Sequence, residues 1–271
     1  MAGERKVAIV TGAASGIGRA LTLGLLEAGI DVAAVDRDAP LLAELRGGPG
    51  RLAAIEADLV DPSSFDRIVT AALDMTGRID ALVNNAGVGQ GSVRPHQRRD
   101  PIRFWQIEPE QWDRFVAVNA TAPLMLARAV VPHMMRAGQG RIVTVTTSLG
   151  TMIRAGYVLY GASKAAAEAA TAVMAADLTG TGVTANVLVP GGMTDTRIVT
   201  LEDAADRSKL IRPEVMVPPL LWLLSDEAAE VTGRRFLAVH WDAAVPHAQI
   251  AETCGAPIAW TSIATMPIEP V

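Results

Sequence analysis

One cysteine, Cys254, stands in the whole chain. A lone cysteine excludes an internal disulfide and any multi-cysteine metal site, and no metal is expected. Tyrosine and lysine are nearly as scarce. Tyrosine occurs only at Tyr157 and Tyr160, and lysine only at Lys6, Lys164 and Lys209. Mean hydropathy is positive and half of the residues are hydrophobic, yet no unbroken apolar run of membrane-spanning length stands out. The first residues, Met1-Ala2-Gly3-Glu4-Arg5-Lys6, lack the charged head and long apolar stretch of a secretory signal. A formal net charge of -5 argues against nucleic acid as the main partner. These absences leave a soluble cytoplasmic protein, with no membrane segment, as the expectation. The 271 residues suffice for one large α/β domain.

Lys6-Val7-Ala8-Ile9-Val10 is a short, continuous apolar run, the pattern of a strand buried on both faces of a parallel sheet. Thr11-Gly12-Ala13-Ala14-Ser15-Gly16-Ile17-Gly18 follows, and then a helical pattern from Arg19 to Ala28 stopped by Gly29. Glycines so placed supply a tight turn, close approach of backbone to a pyrophosphate, and close packing of helix on strand. The helix N-terminus then turns unpaired N–H groups toward the phosphates. Strand, glycine turn and helix in this order carry far more weight than the glycines alone.

The second strand, Asp31–Asp36, ends in an acid about 20 residues beyond the glycine turn. A carboxylate there accepts the adenosine ribose hydroxyls and repels a 2′-phosphate. Ser15, in place of a basic residue inside the turn, points the same way, so NAD is expected over NADP. Arg37 opposes this, since it offers a phosphate partner. Leu52–Ala57 reads as a third strand leading to Asp58-Leu59. Asp58 suits either an adenine amino group or a helix or turn cap. A helix over 62–75 stopped by Gly77 precedes the fourth strand, Ile79–Val83, which runs into Asn84-Asn85-Ala86-Gly87. Two amides and a glycine at a strand end can hold a turn and floor a cofactor pocket. This alternation predicts a Rossmann-like, doubly wound parallel sheet of about seven strands with helices on both faces.

Val88 to Gln111 is long for a connection. Its Arg94, Arg98, Arg99 and Arg103 face a single aspartate, Asp100. Either it is a solvated loop or a basic rim that attracts an anionic substrate. A long helical segment begins near Glu110 and runs to Gly138, with polar Asn119 inside its apolar pattern. A buried amide needs partners; Asn119 either fills a kink or holds a water behind an active site. Strand five, Arg141–Thr146, closes at Thr147-Ser148-Leu149-Gly150. An Ala-rich helix spans Tyr160–Thr179, and strand six, Val183–Val189, ends at Pro190-Gly191-Gly192. Residues 197–212 are charged and weakly patterned, as in a lid. A seventh strand covers 233–239, and from Trp241 to the end there is little regular pattern beyond scattered prolines.

Two of the scarce residues fall together in Tyr160-Gly161-Ala162-Ser163-Lys164. Four residues apart on a helix, both side chains share one face. A free tyrosine has a pKa of about 10 and is a poor base at neutral pH. A neighbouring ammonium favours the phenolate, and such a pair can take a proton from an alcohol or return one to a ketone.

Taken in order, T-G-A-A-S-G-I-G at 11–18, Asp36, Asp58, N-N-A-G at 84–87, Asn119, Y-G-A-S-K at 160–164 and P-G at 190–191 resemble the short-chain dehydrogenase/reductase family over roughly residues 5–240. The resemblance implies a single Rossmann-like domain over 1–271 and a hydride exchanged between nicotinamide and a secondary alcohol or ketone. By it, Tyr160 is the general acid/base and Lys164 lowers its pKa and binds the nicotinamide ribose. Asn119 supports a water linking Lys164 to solvent, and a strand-five hydroxyl orients the substrate. It further implies cofactor contacts from Gly12, Ser15, Gly16, Ile17, Gly18, Asp36, Arg37, Asp58, Leu59, Asn85, Ala86, Gly87, Pro190, Gly191, Gly192, Thr194 and Thr196. It implies a homo-oligomer, commonly a tetramer, otherwise a dimer, with the helices after Asn119 and Tyr160 at one interface.

Two departures stand out. Thr147 occupies the position of the family's serine, with Ser148 one residue nearer the tyrosine, so spacing favours Thr147 and chemical type favours Ser148. The tail, 241–271, is long; it could cover a neighbouring subunit or its own substrate cleft. A catalytically silent dinucleotide-binding or regulatory protein is the competing expectation.

Overall fold

The computed structural model describes residues 5–201, 204 and 206–263. Strand and helix alternate as β1 (Val7–Thr11), α1 (Gly16–Glu27), β2 (Asp31–Asp36), α2 (Ala39–Ala43), β3 (Leu52–Glu56), α3 (Ser64–Thr76) and β4 (Ala81–Asn84). Then come α4 (Pro109–Val116), α5 (Ala122–Ala137), β5 (Gly140–Val145), the short α6 (Leu149–Met152), α7 (Val158–Asp177) and β6 (Val183–Val189). The chain continues through α8 (Val217–Leu223), β7 (Arg234–Leu237), α9 (His247–Thr253) and β8 (Gly255–Pro257).

The strands form one sheet in the order β3-β2-β1-β4-β5-β6-β7-β8. All pair in parallel except β8, which lies antiparallel on β7. The doubly wound, mostly parallel sheet is the expected fold, with eight strands in place of about seven. The eighth arises in the tail, where little pattern was expected: Arg234, Arg235 and Phe236 pair with Pro257, Ala256 and Gly255. A three-residue edge strand carries too few residues to show a period of two, and its proline is tolerated only because it lies at an edge.

The continuous apolar strands are apolar because both faces are covered. Along β1, Ala8 and Val10 pack with Leu21 and Leu25 of α1 and Leu220 of α8. The intervening Val7 and Ile9 pack with Ile68 of α3 and Leu126 and Val130 of α5 on the opposite face. Helix ends follow the local chemistry. Gly77 and Gly138 adopt left-handed φ of 81° and 67° just past α3 and α5, which a side chain resists.

The long helix expected from Glu110 to Gly138 is interrupted. Between α4 and α5, Ala117–Thr121 forms a single π turn centred on Asn119. Such insertions are rare and concentrate at functional sites. The run Pro109–Ala137 is long and apolar enough to cross a bilayer by length and composition, but Glu110, Asp113, Arg114, Arg128 and Arg136 interrupt it, so it is no unbroken apolar run. Its apolar character serves the sheet instead: Ala122, Leu126, Ala127, Val130 and Met134 join the core.

Candidate active site

The sheet reverses its winding direction between β1 and β4, and in open α/β sheets ligands bind beyond the carboxyl ends of strands at such a point. A cavity of about 690 Å³ opens there. It is lined by Gly12, Ser15, Gly16, Ile17, Asp36, Arg37, Asp58, Leu59, Asn85, Ala86, Gly87, Thr147, Ser148, Tyr160, Lys164, Pro190, Gly192, Thr194 and Thr196. Three expected site residues do not line it. Gly18 lies under the turn, where an added Cβ would fall 1.9 Å from the Gly12 carbonyl oxygen. Gly191 has a φ of +102°, and its side-chain position is filled by Val239. Asn119 is fully buried behind the cavity.

The glycine turn is closed by its neighbours. A Cβ on Gly12, at φ +65°, would meet the Ala86 backbone at 2.9 Å, and one on Gly16, at φ +52°, would meet Thr196 at 2.9 Å. Ser15 caps α1 by position only, with no side-chain hydrogen bond, and the first turn of α1 carries no acid. The N-terminal amides of a twelve-residue helix therefore face the cavity without a side-chain cap or a repelling carboxylate, which fits the pyrophosphate of a dinucleotide.

At the end of β2, Asp36 accepts hydrogen bonds from the Ala14 amide (3.0 Å) and the Asp38 amide (3.1 Å). Those amides fix the carboxylate at the cavity wall. Arg37 lines the wall beside it, and Arg197, also lining the cavity, is ion-paired to Asp38 at 3.1 Å. Asp58 accepts the Val60 amide at 3.0 Å, capping a turn, while remaining on the cavity wall. Asn85 uses its amide to donate to the carbonyls of Thr11 (2.9 Å) and Gly12 (3.3 Å), binding β4 to the glycine turn.

Beyond the β5 end, Thr147 and Tyr160 line the same wall of the cavity, the Thr147 hydroxyl close enough to favour the ionised phenol. Ser148 turns away. Its oxygen caps α6, accepting from the Thr151 amide, and pairs with the Thr151 hydroxyl at 2.7 Å. Tyr160 and Lys164 occupy one face of α7, and Lys164, 4% exposed, donates to the Val145 carbonyl at 2.8 Å. An added Cβ on Gly87 would sit 3.3 Å from Lys164 Nζ and 3.2 Å from Asn119 Oδ1, so this glycine lets the backbone close on the lysine.

Burial raises the Tyr160 phenol to about 12; the Thr147 hydroxyl pulls the other way and Tyr157 adds to the rise. Burial lowers Lys164 to about 8, because desolvation penalises the ammonium. Both shifts bear on stability. Below pH 8, Lys164 is charged in both the folded and unfolded states. Between about pH 8 and 10 the unfolded chain binds the proton and the folded one does not, so stability rises with pH, by at most about 1.4 kcal/mol per unit. Above the ordinary tyrosine pKa of 10, the unfolded chain loses a proton that folded Tyr160 keeps up to about 12, so stability falls. Melting temperatures of the ligand-free protein should show the alkaline rise, and Lys164→Met should flatten it. A wild-type curve already flat from pH 8 to 10 contradicts the assignment.

Asn119 makes three side-chain hydrogen bonds. It donates to the Val88 carbonyl (3.0 Å) and the Ser163 hydroxyl (2.9 Å) and accepts the Val88 amide (2.8 Å). It thus fills the π turn and pins the loop after β4 to α7.

Several contributors were not foreseen. Thr11, buried at the end of β1, accepts the Asn85 and Ala86 amides, each at 3.0 Å. Gln90 donates to the Gly156 carbonyl at 2.7 Å and accepts the Tyr160 amide at 3.4 Å, which sets the entry of α7. Both lie in runs where a polar residue at a strand end or in a loop carries no periodic signal. Of the four loop arginines, only Arg98 lines the cavity, where it contacts Met193. Arg94 is ion-paired to Asp100 at 3.1 Å. Arg154, stacked over Tyr157 at 5.1 Å, lines the cavity as well. In the 197–212 stretch, Ile198 fills the space beside Gly89, and Thr200 donates to the Pro95 carbonyl at 2.6 Å. Positions 202, 203 and 205 of that expected lid lie outside the described residues.

The sequence model of the short chain dehydrogenase family matches residues 6–206. A 3-oxoacyl-[acyl-carrier-protein] reductase of Thermotoga maritima is 32% identical over 243 residues, covering 85% of this chain and 95% of that protein. The crystal structure of a 3-ketoacyl-(acyl-carrier-protein) reductase from Brucella melitensis complexed with NADH aligns with a TM-score of 0.74 at 29% identity, covering 86% of this chain and 96% of that one. A structure named as an NAD(P)-dependent gluconate 5-dehydrogenase from Beutenbergia cavernae, with NADP bound at low occupancy, aligns with a TM-score of 0.73 at 33% identity, covering 86% and 94%.

Proposed function

The chain belongs to the short-chain dehydrogenase family, and on that premise we propose that it is an NAD-dependent carbonyl reductase or alcohol dehydrogenase with Tyr160 as its general acid/base. The observation that carries the reading is that Thr147, Tyr160 and Lys164 line one cavity of about 690 Å³ together with the glycine turn and Asp36. The relatives named above act, by their names, as reductases and dehydrogenases, which speaks against a silent binding protein.

The α1 amides and the glycine turn would hold the pyrophosphate, Asp36 and Asp58 the adenosine, and Lys164 with the loop at Pro190–Thr196 the nicotinamide end. When bound, the nicotinamide supplies or accepts the hydride. At neutral pH Tyr160 is protonated and Lys164 charged. Tyr160 therefore holds a proton at Oη ready for a carbonyl oxygen, while Thr147 keeps that Oη oriented. The Lys164 ammonium stabilises the tyrosinate left behind. In the reverse direction Tyr160 takes the alcohol proton, a step that needs the same positive charge.

The acid at Asp36 supports NAD over NADP, with Arg37 and Arg197 nearby as the counterweight. Arg98 and Arg154 on the cavity wall support a substrate bearing a carboxylate or phosphate. Exposed Leu124 and Met135 on α5 and Val173 on α7 support a homo-oligomer, dimer or tetramer, through those helices; a monomer in sedimentation would remove that part. Cytoplasmic localisation is part of the same reading.

The test is consumption of NADH and NADPH over a panel of neutral and acidic ketones. NADH should be preferred, and Asp36→Ala should weaken NADH binding by roughly tenfold and admit NADPH. Absence of nicotinamide-dependent turnover on every ketone would sink the enzyme reading. Tighter NADPH binding by the unaltered protein would sink the cofactor preference, and equal turnover of acidic and neutral ketones the anionic substrate.

A further inference from the structure

Glu168 stands one helical turn beyond Lys164 on α7 and is fully buried, in a helix otherwise dominated by alanine. Its partners come from three separate parts of the fold. One carboxylate oxygen accepts the Thr146 hydroxyl of the β5 end at 2.7 Å. The other accepts Arg235 Nε of β7 at 2.8 Å and the Ala259 amide of the tail at 3.1 Å. Arg235 is itself buried, and its Nη2 donates to the Thr147 carbonyl at 3.0 Å.

These contacts fall on consecutive residues. Lys164 holds the Val145 carbonyl, Glu168 the Thr146 hydroxyl, and Arg235 the Thr147 carbonyl. The peptide bearing the Thr147 hydroxyl is thereby tied to the helix that carries Tyr160. The tail completes the arrangement. Ala259 is the one non-glycine with positive φ among the described residues, at 52°, a conformation that persists only where surroundings fix it. Ile258 and Ala259 pack on Val187 and Val189, with Trp260 against them, which fixes the Ala259 amide on Glu168.

A buried ion pair is poor evidence of stabilisation, because desolvating both charges offsets their attraction. What this pair supplies is direction: a planar guanidinium with two nitrogens engaged at once, one on the carboxylate and one on the Thr147 carbonyl. We propose that Glu168 and Arg235, braced by the C-terminal tail, are positioning residues that hold the Thr147 hydroxyl on Tyr160. The kinetic part of this claim rests on the acid/base reading of Tyr160; the geometric part does not.

The experiment replaces both charges at once. The variant Glu168→Met/Arg235→Met leaves no orphaned charge and should fold, as apolar replacement of buried pairs often does. Its melting temperature and NADH affinity serve as controls. Its kcat should fall roughly tenfold to a hundredfold, the scale of a misplaced reacting group. The pH at which the rate titrates should also move upward, since Tyr160 loses a hydroxyl neighbour that favours its ionised form. Its crystal structure should show the Thr147 hydroxyl out of hydrogen-bond reach of Tyr160. A folded double variant that keeps that contact overturns the proposal, as does one with wild-type kcat and pH profile. If the double variant does not fold, Arg235→Lys serves instead. Lysine lacks the rigid fork that holds both partners at fixed angles, so the same loss of the Thr147–Tyr160 contact is expected, and its retention is equally fatal. Wild-type protein without carbonyl-reductase activity would defeat the functional reading alone; the two crystal structures still decide the positioning.

Discussion

Replacing Tyr160 with phenylalanine is expected to lower kcat by about a thousandfold, within the range that a positioned acid or base contributes. The substitution removes one oxygen and keeps the ring. The Gln90 contact that sets the start of α7 goes to the Tyr160 amide and survives. So does the hydrogen bond from Lys164 to the Val145 carbonyl. NADH affinity and melting temperature should therefore stay near wild type, and the loss should fall on the chemical step in single-turnover measurements. Burial holds the phenol near 12 and the neighbouring ammonium near 8. A proton thus sits on the oxygen and a positive charge beside it at physiological pH, the arrangement a carbonyl reduction requires. A Tyr160→Phe variant turning over within a few-fold of wild type would assign the proton to another group.

How far these features were legible in the sequence depended on how each is encoded. The parallel sheet was legible because its strands are buried on both faces and read as unbroken apolar runs, as in Val7–Val10 and Val32–Val35. Gly12, Gly16 and Gly18 were legible because each meets a fixed steric demand from its surroundings, and only one residue type fits. The π turn at Asn119 was not, since one inserted residue leaves the apolar pattern on both sides nearly unchanged. Nor was the partner of Glu168. A buried carboxylate in an alanine-rich helix announces a need for donors, but Arg235 and Ala259 reach it from 67 and 91 residues away. The third strand-end group stayed open between Thr147 and Ser148 because both offer a hydroxyl, and only the backbone direction leaving β5 distinguishes them.

That backbone direction makes the sharpest contrast between neighbouring substitutions. Ser148 is held as the N-cap of α6, accepting the Thr151 amide and pairing with the Thr151 hydroxyl. Its loss in Ser148→Ala should cost about 1 kcal/mol of stability, the usual effect of removing a cap, and change kcat by no more than a few-fold. Thr147 instead lines the cavity with Tyr160, and its hydroxyl opposes the upward pressure that burial puts on the phenol. Thr147→Ala removes both the orienting contact and that opposing influence. A fall in kcat of roughly a hundredfold or more is expected, the scale of single oriented donors at a reacting oxygen, with the rate titrating at higher pH than in wild type. Thr147→Ser keeps the hydroxyl and should restore most of the rate, because the contact depends on the oxygen and not on the methyl group. Equal losses in Thr147→Ala and Ser148→Ala would mean that the loop after β5 rearranges when substrate binds. A larger loss at Ser148 would place the hydroxyl one residue nearer to Tyr160 than its contact in the fold.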